Sequence, residues 1–547
     1  MEIAKLLKHR NALKTSSERT NSERNWQSGA EFCNPPNSDI TSISAKGSKK
    51  SISRVTDVGI KARRKFASNM YGYKIGGSRF FEYRIKDRKL ADNENVKRWL
   101  GDVNNITYIE IMSSNFPSQI YQGYGELSYI GTTAMFIESG GDRALNYKTQ
   151  NIAKTYIDLN NKGMVDTVFM DLCFTARQIE QEFPDTELPE KIKLALDTAS
   201  LEQFTIVHAV VANQDYTEGS LNPKKRKWAG MYLFECSGYE PNLLRQDGYD
   251  EFPVAVGRLH RTEGEIYGRG CFAEVWSSLC LNNDQKITLI RSAQLKAEPY
   301  YLEPAGSNMR RIRSQGMSKI IYDPTATFGA KPEQLVVRND VGVTEQMMEK
   351  SEQEILDGFF VNAFNPLNDQ RNMTATETMQ RIDLGLSEVS PLLYNTREYD
   401  NAIMHRTFGI LYRAGKYPDV PSELADRDTA EILDVEYISK AALALKQLQL
   451  YGINATIEQI GLVGQIAPEI WDNFDQDAFA RFAAETNNVP NQMLRPTKDV
   501  QKSRQARAEA QQQQQMVNSA PMLADAANKI SKPVDPGSPL AAMLGGK

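Results

Sequence analysis

Cysteine is scarce. The 547 residues contain five (Cys33, Cys173, Cys236, Cys271 and Cys280), and none forms a CxxC pair. That excludes a disulfide scaffold. An odd, scattered set points to reduced thiols in a cytosolic product. Histidine is scarcer still: His9, His208, His260 and His405. With neither HExxH nor HxH, no zinc site is expected. No run of about 18 apolar residues occurs, so no transmembrane helix is expected. Met1 to Lys14 is amphipathic and basic but lacks the apolar stretch of a signal peptide. A phosphate-cradling GxxxxGK(S/T) loop is missing, since Gly329-Ala330-Lys331-Pro332 fails the pattern. There is no GxSxG elbow either. Finally, no charge sign dominates. Lys plus Arg number 65 and Asp plus Glu 69, which leaves a net charge of -4 and a pI near 5.9. A tight binder of duplex DNA carries a basic patch, so any contact here with DNA is expected to be loose or local.

The remaining candidates for chemistry have plainer readings. His208 sits in an apolar strand and reads as a packed histidine. His260 lies near Glu263 and Glu265, a hint of acid/base work, but the turn Arg261-Thr262-Glu263-Gly264 explains these residues more simply. Asp426 and Asp428 read as charged loop residues. No enzyme, cofactor or metal is expected.

What is present is helical periodicity with interruptions. The length allows roughly two to four domains. Residues 1–50 are polar, and Asn34-Pro35-Pro36-Asn37 breaks any helix. Ile60 to Tyr71 and Asn95 to Tyr124 read as mainly helical. In the second, Val96, Trp99, Leu100 and Val103 make one apolar stripe. Glu126 to Glu138, Thr167 to Cys173, Phe204 to Val211 and Trp228 to Glu235 read as strands, and Phe174 to Phe183 as a helix. Between the last two strands runs Lys224-Lys225-Arg226-Lys227, a basic turn. It could touch nucleic acid, though a solvated turn is the simpler reading. The first half is thus a mixed α/β region.

Gly268-Arg269-Gly270 precedes a helix from Cys271 to Glu298 with the stripe Phe272, Val275, Trp276, Leu279, Ile287 and Ile290; Pro299 stops it. Pro299 to Asp340 is a compact insertion with strands at Lys319 to Tyr322 and Gln334 to Arg338. It carries Arg310, Arg311, Arg313 and Lys319. A second helix follows, Val343 to Phe364, roughly 33 Å long. Its apolar stripe is Val343, Met347, Ile355, Phe359 and Ala363. Glu345, Glu349, Glu352, Glu354 and Asp357 make the rest acidic, opposed only by Lys350. Asn365 to Asn372 is a helix-breaking loop. Thr374 and Glu377 then have capping-box spacing for a long helix toward Tyr412, with a kink expected at Pro391. Asp434 to Ser439 is a short bridge. Helices follow at Ala441 to Tyr451 and Ile457 to Glu485. Gln501 to Gln515 is a polar helix that needs a neighbour to be stable. The proline-marked tail from about Val517 is expected to be disordered.

The phrase Met373-Thr374-Ala375-Thr376-Glu377, with a helix on each side, resembles the portal (head-to-tail connector) proteins of short-tailed bacteriophages. The order of helix, insertion, acidic helix, polar loop and long helix strengthens the likeness, which covers about Trp26 to Ala510. It implies an α+β, mostly helical portal fold. The parts would be a polar arm at 1–50, a wing at 51–268, a first stem helix at 269–298, a clip at 299–341 and a second stem helix at 342–364. A channel loop at 365–373, a wing helix and return strand at 374–440, a helical crown at 441–515 and a disordered tail at 516–547 would follow. The resemblance further implies a ring of about twelve copies at one capsid vertex, assembled in the host cytoplasm. Double-stranded DNA would pass through it. The packaging terminase, a tail adaptor, and the major capsid and scaffold proteins would be partners, and no membrane would be. Channel contacts would fall on Asn368, Asp369, Gln370, Arg371 and Asn372. Glu345, Glu349 and Glu352 would face the channel. Arg310, Arg311, Arg313 and Lys319 would dock motor and tail. Two other readings stay open: a different phage DNA-binding or tail-adaptor structural protein, and a cytosolic enzyme with an unrecognised site.

Overall fold

The computed structural model describes residues 3–42, 44–45, 47–48, 50, 54–76, 80–87, 90, 93–141, 143–220, 222–235, 241–297, 301–304, 319–322, 333–334, 341–364, 385, 387–424, 432–438, 452–454, 456–458, 475–486 and 500–511. The chain divides into two units, Met1–Leu445 and Lys446–Lys547.

The first unit begins with helices α1 (Ile3–Thr15) and α2 (Ser17–Cys33). Ser16 caps α2 by accepting from the Arg19 amide at 3.2 Å. The two helices thus cover most of residues 3–33, and this polar stretch packs against the rest of the unit. Arg19 is fully buried. Its guanidinium donates to the carbonyls of Thr155, Ile152 and Ala153 and to the Tyr267 hydroxyl, all at 2.8–3.0 Å. It also lies over the rings of Trp26, Tyr156 and Tyr267. A composition count scores this residue as polar surface, whereas the folded chain satisfies it as core.

Next come α3 (Val58–Lys74), β1 (Phe81–Ile85), α4 (Glu94–Ser113) and α5 (Phe116–Tyr129). The stripe Val96, Trp99, Leu100 and Val103 is buried on α4 as its spacing predicts. The strand expected from Glu126 is corrected: α5 continues to Tyr129, and β2 starts only at Thr132 (Thr132–Glu138). Pro117 in the first turn favours the helix start, and Gly131, at φ +85°, makes the turn between the two elements.

Two antiparallel sheets follow. Strand β2 lies between β3 (Asn146–Gln150) and β9 (Val254–Arg258). The larger sheet has the order β4 (Thr155–Leu159), β5 (Val165–Thr175), β6 (Gln203–Ala212), β7 (Trp228–Phe234) and β8 (Asn242–Tyr249). Between β5 and β6, α6 (Ala176–Glu182) and α7 (Glu190–Asp197) pack on the sheet. The cap of α6 is a reciprocal Thr175–Gln178 pair. His208 is a packed histidine, stacked on Tyr232 with ring centroids 4.0 Å apart. Burial pushes its pKa down to about 3.

After β9 come a short helix α8 (Cys271–Glu274), α9 (Trp276–Ala297), β10 (Tyr301–Pro304), β11 (Lys319–Tyr322), β12 (Glu333–Gln334) and α10 (Val341–Gly358). Strand β11 falls where it was expected. Strand β10, unforeseen, pairs parallel with β11 and antiparallel with β12. The helix expected to reach Phe364 ends at Gly358. Phe360, at φ +55°, has left-handed backbone that no helix can include. Residues 387–395 are helical and α11 spans Arg397–Arg413, so the helix runs through Pro391 and is interrupted at Thr396. The capping box at Thr374 and Glu377 lies outside the described residues. Strand β13 (Leu433–Tyr437) pairs with β1. Helix α11 packs on β9 and β2, where Arg406 donates to Glu251 at 2.7 Å.

In the second unit, α12 (Gln476–Thr486) and a helix over 500–511 are described, joined by a double Arg504–Asp477 contact at 2.6 and 2.7 Å. The expected disordered tail lies outside the described residues.

Candidate functional site

Helices α9 and α10 pack side by side, and the chain between them makes the small three-stranded sheet. The seam of the pair is apolar at one end and polar further along. Leu279, Ile355 and Phe359 are buried at the apolar end. Gly358 passes so close to Val275 that an added Cβ would lie 2.2 Å from its Cγ1. Further along, Asn282, Asn283 and Ser351 are buried. The Asn282 amide donates to Ser351 Oγ at 2.9 Å, and its carbonyl oxygen accepts from Thr56 Oγ1 at 2.6 Å. Ser351 Oγ reaches Gln285 Oε1 at 3.1 Å. Asn283 Oδ1 accepts from the Val55 amide at 2.8 Å. Buried polar groups of this kind fix one register, because sliding by a turn would leave each without a partner. Asp57, at the head of α3, joins Lys61 at 2.8 Å and Lys286 at 3.2 Å. The hydrogen bond from Lys61, with help from Lys286, holds its carboxyl down at about 2.

The expected apolar stripes are only partly right. Phe272, Val275, Leu279, Ile355, Phe359 and Ala363 are buried, but Trp276, Ile290 and Met347 are exposed. The seam uses asparagine and serine instead, which a search for apolar spacing passes over. Their one sequence signal is position: Asn282 follows Leu279 at helical spacing.

Glu345 and Glu349 are exposed on α10, while Glu352 is half-buried, in the field of Lys61. Lys319 opens β11, opposite Tyr301. Arg310, Arg311, Arg313, Asn368, Asp369, Gln370, Arg371 and Asn372 lie outside the described residues. The motif Gly268-Arg269-Gly270 has a packing cause. Its backbone threads against the Gly131 turn, and a Cβ on Gly131 would lie 2.1 Å from the Arg269 carbonyl carbon. His260 is not drawn to Glu263 or Glu265. Its Nε2 is 4.0 Å from Glu274, and Glu265 is taken by Arg269. Among the described residues no His, Cys, Asp and Glu cluster could hold a metal, and no helix is long and apolar enough to cross a membrane.

A helix pair locked in register, with a small sheet built between its two halves, is an architectural element. Comparison with known proteins says of what kind. Residues 4–494 match the model of the bacteriophage head to tail connecting proteins, and the chain belongs to that family. It is 26% identical over 548 residues to the portal protein of Salmonella phage epsilon15, covering 97% of this chain and 96% of that one. To the probable portal protein of Bordetella phage BPP-1 it is 24% identical over 490 residues, covering 89% and 87%. Its role is structural, that of a portal or head-to-tail connector, and not enzymatic.

Proposed function

We propose that the chain forms a homo-oligomeric ring of about twelve copies at one capsid vertex. Double-stranded DNA enters through this ring during packaging and leaves through it at ejection. The match to head-to-tail connecting proteins across nearly the whole chain carries this reading. In it, α9 and α10 are the stem and 299–341 is the clip. Arg310, Arg311, Arg313 and Lys319 of the clip meet the packaging terminase and then the tail adaptor. The wing is 51–268 and the helical crown 441–515, and the major capsid and scaffold proteins are further partners of the ring. Residues 365–373 make the channel loop, in which Asn368, Asp369, Gln370, Arg371 and Asn372 touch DNA locally. Assembly takes place in the host cytoplasm.

The charge of α10 suits a conduit. Glu345 and Glu349 are exposed, and with Glu352 they form one acidic edge of the helix. Carboxylates on a channel wall repel phosphates and shorten the stay of DNA there, whereas each neutralised phosphate would add affinity through counterion release. Negative-stain electron microscopy with mass photometry tests the reading. Rings with a central hole support it. Particles that remain monomeric at micromolar concentration, with scaffold protein added, rule it out.

A further inference from the structure

The connection between β6 and β7 runs from Asn213 to Lys227 and carries the basic run Lys224-Lys225-Arg226-Lys227. Ordered loops of this length are uncommon without a role. The described residues of this one are tied together by hydrogen bonds within the loop. The Asn213 amide donates to the carbonyls of Lys224 at 2.9 Å and Arg226 at 2.7 Å. Asn222 Oδ1 accepts from the Lys224 amide at 3.0 Å and starts a short 3-10 turn over Pro223–Lys225. The Thr217 amide donates to the Lys225 carbonyl at 3.0 Å. Pro223 presses on the backbone of β8 so closely that a Cβ on Gly248 would lie 1.6 Å from its carbonyl oxygen. Arg226 anchors the tip, donating to the Gly248 carbonyl at 3.3 Å and facing Asp250 at 3.5 Å.

The anchoring leaves Lys224, Lys225 and Lys227 exposed, and among the described residues no carboxylate forms a salt bridge with them. Tyr216, 49% exposed, stands on the opposite arm of the loop. Asp215 and Glu218 on that arm are also exposed, and neither forms a salt bridge with the three lysines. A merely solvated turn has no use for a hydrogen-bonded frame that presents three lysines without carboxylate partners. A frame does serve a surface that meets repeating charge, because less side-chain and loop freedom is then lost on contact.

We propose that this hairpin tip binds the phosphate backbone of duplex DNA, as a contact separate from the α9–α10 pair and from residues 365–373. The choice of DNA as the polyanion rests on the portal reading; the existence of an anion site does not. The three lysines meet phosphates without reading sequence, and Arg226 and Asn213 are positioning residues.

The test uses the full-length chain and a short fluorescein-labelled duplex of mixed sequence, titrated by anisotropy across a salt series. The variant Lys224→Gln/Lys225→Gln/Lys227→Gln is expected to bind at least about tenfold more weakly. Its slope of log affinity against log salt should be shallower by up to about 3, at about 0.9 for each lost phosphate contact. The triple Lys→Arg variant should keep the wild-type slope. Asn213→Ala should weaken binding with the slope unchanged, since it loosens the frame and removes no cation. Equal slopes for wild type and the Gln variant, or no duplex binding by wild type, overturn the proposal. An acidic protein partner at this tip would give the first of those results. Ring formation by the same samples is scored separately, and its failure in wild type counts against the portal reading alone.

Discussion

Replacing Asn282 by alanine should loosen the α9–α10 seam more than its size suggests. The side chain is fully buried and makes two good hydrogen bonds, to Ser351 Oγ at 2.9 Å and from Thr56 Oγ1 at 2.6 Å, with a weaker third to the Met348 carbonyl at 3.4 Å. Each good bond is worth about 1 kcal/mol net. The Thr56 hydroxyl, itself buried, would lose its acceptor, and a stranded buried polar group costs about 1–3 kcal/mol more. The expected loss is therefore about 3–5 kcal/mol, felt first in the helix pair. Hydrogen–deuterium exchange followed by mass spectrometry reads it locally: amides of Trp276–Ala297 and Val341–Gly358 should exchange faster, while those of the β4–β8 sheet hold their rates. Ser351→Ala alone and with Asn282→Ala completes a double-mutant cycle, with a coupling of about 1 kcal/mol or more expected. Additive losses, or faster exchange spread evenly over the first unit, would refute the seam as a register lock.

Two further outcomes follow from buried contacts. Gly358→Ala should destabilise the pair by about 1–3 kcal/mol, because its new methyl meets Val275 at 2.2 Å, and Val275→Ala in the same chain should recover part of the loss in a urea titration. Glu126 is buried on α5, accepting from Gln122 at 3.3 Å and Thr133 at 3.1 Å, and burial pushes its pKa from 4.5 up to about 7. The folded state thus holds this proton more tightly than the unfolded chain does. Its stabilising effect is full below the unfolded value and is lost as pH rises through about 7, a swing of roughly 3 kcal/mol at about 1.4 per unit. Glu126→Gln should flatten the pH dependence of melting between those values and melt higher than wild type above pH 7; an unchanged profile would refute the assignment.

Where apolar spacing decides the fold, the sequence was readable. Val96, Trp99, Leu100 and Val103 lie buried on α4, and β11 runs over its expected four residues. Legibility fails where polar groups do the packing. Helices α1 and α2 look like solvent-facing chain until Arg19 is seen inside a cage of carbonyls and aromatic rings. The seam of the candidate stem fails for the same reason, since Asn282 and Ser351 replace the expected Ile290 and Met347 at the contact. The early end of α10 depends on the backbone of Phe360, a residue type that gives no warning of a positive φ. The acidic edge Glu345 and Glu349 was visible as composition and is exposed in the fold, whereas which way it faces in an assembly is a property of several copies and is written in no single chain.

The β1–β13 ribbon sets a timetable for synthesis. Strand β1 has its partner only when Leu433–Tyr437 has been made, so at about 5–20 residues per second the roughly 350 intervening residues keep it waiting on the order of tens of seconds. For that time Phe81, Tyr83 and Ile85 offer a short apolar strand with an open edge to any neighbouring chain on the same messenger. Glu82 and Arg84 alternate with them and carry opposite charges. Their charge interrupts what would otherwise be a sticky segment, and it guards the nascent chain at the stage when many identical copies are being made close together.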